Sequence, residues 1–181
     1  MTTEDDWLRP VANTGLMISP VGFGTVKLGR NEQVQYPTAF EIPDDAKALN
    51  LLAQARGLGI NLLDTAPAYG TSEERLGHLL GRERQHWIIC TKVGEEFENG
   101  QSRFDFSADH VRLSIERSLK RLNTDYLDMV LVHSNGDDMA ILEQYGTLEA
   151  LNDLKKAGLI RATGMSTKTV LSRGKRNTSW L

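Results

Sequence analysis

Two periodicities alternate along the chain. Residues 61–66, 87–93, 126–133 and 160–166 are short, near-continuous apolar runs, as expected of strands buried on both faces. Between them the apolar positions switch to helical spacing. Ala48, Leu51, Leu52 and Ala55 fall on one helix face. That helix opens at Asp44 and Asp45, where carboxylates suit the dipole, and ends at Gly57 and Gly59. Leu76, Leu79 and Leu80 mark a second helix, with Ser72 as its N-cap and Gly81 as its stop. Val111, Ile115, Ser118, Leu119 and Leu122 mark a third, capped by Ser107. Residues 139–156 form a further helical region, with room for a break near Gly146 and a stop at Gly158. Ahead of this alternation, residues 9–21 read as two short strands around a turn at Asn13, Thr14 and Gly15. A strand at 21–27 and a proline-containing loop over 28–43 follow, and the stretch after Val93 reads as a polar loop.

Strands alternating with helices on short connections imply a parallel sheet covered by helices. An open doubly wound sheet and a (β/α)8 barrel both satisfy that pattern. The dinucleotide fingerprint of the doubly wound fold is incomplete here. Lys27 stands where a third glycine belongs after Gly22 and Gly24, and no helix is expected at once.

Composition narrows the function classes. The 181 residues suggest one globular domain over 1–181, with 40% hydrophobic and 25% charged positions. A net charge of −3 gives no bulk attraction for nucleic acid or an anionic membrane, so a small molecule or a protein surface is the expected partner. Cys90 is the single cysteine, so no internal disulfide forms, and a buried packing role is expected for it. The acidic start, with Glu4, Asp5 and Asp6, does not resemble a signal peptide, and no apolar run approaches the roughly 20 residues of a membrane span. The expectation is a cytoplasmic protein. No histidine has metal-ligand spacing with a second histidine or a cysteine, so no metal is assigned.

Four polar residues stand at or just beyond the ends of apolar strands: Asp64, Tyr69, Lys92 and His133. In parallel α/β folds the carboxyl ends of strands line the active site. Taken singly, each has a plain structural reading. Asp64 suits a turn cap, Tyr69 an exposed loop aromatic, and His133 a satisfied core histidine. Lys92 is harder to explain, because an ammonium at the end of a buried strand needs a partner. Their coincidence on successive strand ends points to a site.

The segment from Asn61 through Asp64, Tyr69, Gly70 and Glu73 to Gly77 resembles the signature of the aldo-keto reductase family. Thr91-Lys92-Val93 is similar to that family's lysine strand, and Leu131-Val132-His133-Ser134 to its histidine strand. Gly22-Phe23-Gly24-Thr25 and Gly164-Met165-Ser166 also fit, so the likeness runs from about Arg9 to Lys168. The resemblance implies a (β/α)8 TIM-type barrel with an N-terminal β-hairpin. It implies an oxidoreductase that reduces small aldehydes or ketones with NADPH, or with NADH. On that likeness Tyr69 is the general acid, with its pKa lowered by Lys92. Asp64 holds Lys92, and His133 orients the carbonyl. Gly24, Thr25, Asp64, Ser166 and Thr167 are implied around the cofactor, although the family often has Asn where Thr167 stands.

Only about five βα units are expected in these residues, and residues 171–181 lack the helix that should follow the fifth strand. The expectation is the N-terminal part of such a barrel, truncated, with an atypical tail. The stacking aromatic and the phosphate-gripping loop of the family would lie in the missing part. An open sheet would then expose a strand edge, which invites self-association, and inward side chains, those of Leu63, Ile89 or their neighbours. Besides an active reductase, an inactive fragment and a non-enzymatic binding or regulatory protein on the same scaffold remain open. Asn177-Thr178-Ser179 matches a glycosylation sequon and is expected to be chance.

Overall fold

A computed structural model describes residues 7–34 and 36–167. The tail over 171–181, its sequon and Lys168 lie outside the described residues. The chain opens with an antiparallel hairpin of β1 (Arg9–Pro10) and β2 (Met17–Ile18). Its turn is built as the sequence suggests, with Thr14 N–H and Oγ1 both donating to the Val11 carbonyl. Five parallel strands follow: β3 (Phe23–Gly24), β4 (Leu62–Asp64), β5 (Ile88–Val93), β8 (Leu127–His133) and β9 (Ile160–Ser166). Between β5 and β8 lies a second antiparallel hairpin, β6 (Glu95–Glu98) and β7 (Gln101–Phe104).

Strand order in the sheet is β3-β4-β5-β8-β9, which simply follows the chain. A doubly wound sheet reverses its order at a switch point. The described strands never reverse, so the architecture is that of a partial (β/α)8 barrel. Its two edges among the described residues are β3 and β9.

Helices α2 (Asp45–Gly57), α3 (Ser72–Leu80), α4 (Ala108–Arg121) and α6 (Thr147–Lys156) connect the strands. Ser107 caps as expected, accepting from His110 N–H, and Asp44, expected only to suit the dipole, caps α2 by accepting from Lys47 N–H. Ser72 does not. Its hydroxyl turns into the core and donates to the Thr25 hydroxyl at 2.8 Å. The expected strand over 21–27 shortens to two residues. At Val26 the chain enters a single helical turn, α1 (Val26–Gly29), so a helix does follow Gly24 almost at once. The region over 139–156 splits into α5 (Asp138–Glu143) and α6, and Gly146 at φ 71° makes the break.

The core lies between the sheet and its helices. Leu63, Ile89, Val93, Val130 and Val132 meet Leu52, Leu76, Ile115 and Leu151 there. Of the alternatives left open for the inward face, Leu63 and Ile89 drop out, since they face the helices and are fully buried. The inward residues are their neighbours Leu62 and Ile88, both half-buried. A one-residue choice of strand face separates the two outcomes. Leu51 also departs from expectation and lies exposed on α2. On the other sheet face, Val11, Leu16 and Ile18 of the first hairpin pack on Ile88, Met129 and Ala162. That hairpin covers the end where the strands begin and leaves the carboxyl end to the polar groups.

Gly29 joins α1 to the loop that carries Tyr69. A Cβ there would lie 2.1 Å from Ser72 N and 2.4 Å from the Tyr69 carbonyl oxygen. Both are backbone atoms that cannot swing away. Gly29→Ala should lower stability by about 3 kcal/mol. A denaturant titration that shows an unchanged midpoint would contradict this packing.

Candidate active site

Register places the polar residues on one face. Gly24, Asp64, Cys90 and Met129 align across four strands. Lys92 lies two residues beyond Cys90 on β5, and alternation returns it to the same face. His133 aligns with Ser166 at the ends of β8 and β9. Asp64, Lys92 and His133 thus come from three neighbouring strands at their carboxyl ends.

Lys92 is the anchor. It is 4% exposed, and an isolated ammonium at that depth would be strongly disfavoured. Its Nζ donates to Asp64 Oδ1 at 2.7 Å and to the Thr65 carbonyl at 2.9 Å. Burial alone would lower its pKa. The Asp64 carboxylate, then Tyr69, outweigh burial and hold it above the ordinary lysine value.

Tyr69 ends a 3-10 turn, Pro67–Tyr69, with Pro67 and Ala68 buried beneath it. The proline sets φ for the turn, and Tyr69 N–H closes it on the Ala66 carbonyl at 3.0 Å. Lys92 Nζ lies 4.9 Å from the Tyr69 ring centre. The Tyr69 and His133 rings meet edge to face at 6.4 Å. All four side chains converge. The acidity of Tyr69 departs from expectation: burial raises its pKa above the ordinary phenol value. Lys92 pulls it down by charge and hydrogen bonding, while Asp64 and Glu95 push it up. The lysine acts in the anticipated direction without winning.

Among the residues implied around a cofactor, Gly24 leaves open space: a Cβ built there meets nothing within 4 Å. Ser166 lies beside His133, and its carbonyl accepts from Ser134 N–H at 3.1 Å. Thr167 is exposed past the end of β9. Thr25 does not join the group. Its buried hydroxyl donates to the Asp64 carbonyl at 2.9 Å and accepts from Ser72 at 2.8 Å, so it bolts β3 to β4 and α3.

Two residues at the mouth escaped the sequence reading. Glu95 is buried, with Oε2 2.8 Å from His133 Nδ1. Arg30 lays its guanidinium on the Phe97 ring, 3.4 Å from the ring centre, and donates to the Ala68 carbonyl at 2.9 Å. Both depend on the β6–β7 hairpin. Its signal was present as Asn99-Gly100, which adopt φ 52° and 75° as a tight hairpin turn requires.

Cys90 sits among these groups, and burial pushes its thiol up to about 12. It should therefore resist iodoacetamide in the folded protein at neutral pH, and mass-spectrometric labelling of native against unfolded chain checks this. Lys92→Met should move the Tyr69 phenol further up in pH. The readout is the phenolate absorbance titration, with Tyr69→Phe subtracted.

A family profile described as Aldo/keto reductase family matches residues 20–175. L-galactose dehydrogenase of Arabidopsis thaliana is 41% identical over 166 residues, covering 88% of this chain and 48% of the plant protein. An aldo-keto reductase structure from Pseudomonas aeruginosa is 57% identical, with a TM-score of 0.83, over 91% of this chain and 62% of that one. The holo form of an aldo-keto reductase from Bacillus halodurans is 34% identical, with a TM-score of 0.73, over 89% and 50%. The chain thus spans about half the length of the curated relatives it matches. With a matching profile over most of its length and relatives at this identity, the chain belongs to the aldo/keto reductase family.

Proposed function

We propose that this chain supplies the proton-donating side of an NADPH-dependent oxidoreductase that reduces small aldehydes or ketones to alcohols. The observation that carries the proposal is the Asp64–Lys92 pair set against the Tyr69 ring, with His133 at its edge.

In this reading the nicotinamide, when bound, supplies the hydride. The chain's own residues supply the proton and the geometry. Tyr69 donates its phenolic proton to the carbonyl oxygen as negative charge develops there. The phenolate left behind is stabilised by the neighbouring Lys92 ammonium. Asp64 keeps that ammonium from turning away. His133 offers a ring nitrogen to the same oxygen and fixes its direction. The open space over Gly24 beside Asp64 suits a flat ring lying on the sheet. Gly24, Asp64 and Ser166 are the residues we assign to cofactor contact, with Thr167 at the rim. NADH is the alternative donor.

Titrating the purified protein with NADPH, while following Trp87 and the other tryptophans by fluorescence, tests the proposal. The expected result is saturable quenching together with turnover of a generic aldehyde. Tyr69→Phe should lower turnover at least about a hundredfold and leave the quenching curve in place. Binding without turnover would instead support a sensor or regulator on this scaffold. The absence of both would support an inactive fragment.

A further inference from the structure

We propose that Glu95 is a positioning residue, which fixes the side-chain tautomer of His133 and so decides which ring nitrogen faces the reacting oxygen. The inference rests on the proposed role of His133. It assigns a function to the β6–β7 hairpin beyond the packing of Phe104 against the core.

Glu95 is 7% exposed, and a carboxylate so placed must be held by partners. Its Oε1 accepts from Ser102 Oγ at 2.6 Å, across the hairpin. Its Oε2 stands 2.8 Å from His133 Nδ1. This contact has ion-pair distance but not hydrogen-bond alignment, since Nδ1 finds no hydrogen-bond partner by angle. The electrostatic consequence is the same. A bare Nδ1 lone pair cannot face a carboxylate oxygen at that separation without strong repulsion. The proton of the neutral ring must therefore sit on Nδ1, which leaves Nε2 for the site. A carboxylate that orients an imidazole in this way is a recurring device of proton-transfer sites.

The chain is built to deliver this carboxylate. Gly94 takes φ 102° directly after β5, and a Cβ there would meet the Phe106 ring at 2.3 Å. Only a glycine turns the chain so sharply, and the turn brings residue 95 back toward the strand ends. The hairpin is pinned from outside by Arg30 on Phe97. The Arg30 charge also acts on Glu95 and Tyr69. Burial of Arg30 lowers its pKa, and the Glu95 carboxylate foremost opposes that.

Nitrogen NMR of ring-labelled protein, at alkaline pH where histidines are neutral, reads the tautomer directly. The His133 signal is assigned by its loss in His133→Gln. In the wild-type chain the proton should reside on Nδ1. Glu95→Gln keeps the shape but can donate as well as accept, so both tautomers should appear. Ser102→Ala removes the support of Glu95 yet keeps the carboxylate, and should leave the tautomer as in wild type. In carbonyl turnover, Glu95→Gln should lower kcat roughly tenfold with NADPH affinity unchanged. A wild-type proton on Nε2, or an unchanged tautomer in Glu95→Gln, overturns the inference. If the wild-type chain shows no turnover, the reductase reading fails, and the NMR result still decides the role of Glu95.

Discussion

A lysine ammonium placed at the end of a buried strand has two choices: find an anion or lose its proton. In this chain Lys92 finds Asp64 one strand away, and the pair dictates much of what surrounds it. Removing Asp64 would leave the Lys92 ammonium buried without its carboxylate. The register of β4 against β5 must therefore hold to the residue. A slip of one position would point Lys92 into the helix layer among Leu76 and Ile115. The same register sets Gly24 beside Asp64 and keeps the inner face open above them.

The two ends of the sheet serve different purposes. Where the strands begin, the β1–β2 hairpin packs apolar side chains on Ile88, Met129 and Ala162. Asp128 lies at that same end, held by Arg84 Nη2 at 2.8 Å and Arg161 Nη1 at 3.1 Å, and these two guanidiniums also flank the Tyr126 ring. This is charge used for cohesion, with Asp128 also accepting from Ile89 N–H at 3.0 Å. Where the strands end, the charges face one another across a mouth. The contrast between the two ends of a barrel sheet is thus present within five strands.

Legibility in the sequence followed the range of the interaction. Ser107 is readable as a cap because a cap is decided within four residues. Four of the five sheet strands were readable because they are near-continuous apolar runs. Ser72 looked like a cap for the same local reason, yet a contact with Thr25, 47 residues earlier, redirected its hydroxyl. The sequence leaves open whether Leu63 and Ile89 or their neighbours face inward, because an apolar run carries no mark of which side the helices cover. The hairpin after β5 was missed although Asn99-Gly100 announced it, since its flanking residues are charged rather than alternating.

By itself the sequence determined the order of the sheet strands and the main helices between them, the N-terminal hairpin and the residues Asp64, Tyr69, Lys92 and His133 at or near strand ends, because periodicity, caps and short motifs are local properties of a chain. Only the tertiary structure decided that Thr25 is a bolt, that Tyr69 is made less acidic by burial, and that Glu95 and Arg30 stand at the mouth. Each of these depends on groups distant in sequence and close in space, and on how much water their neighbours exclude. No local pattern encodes either quantity.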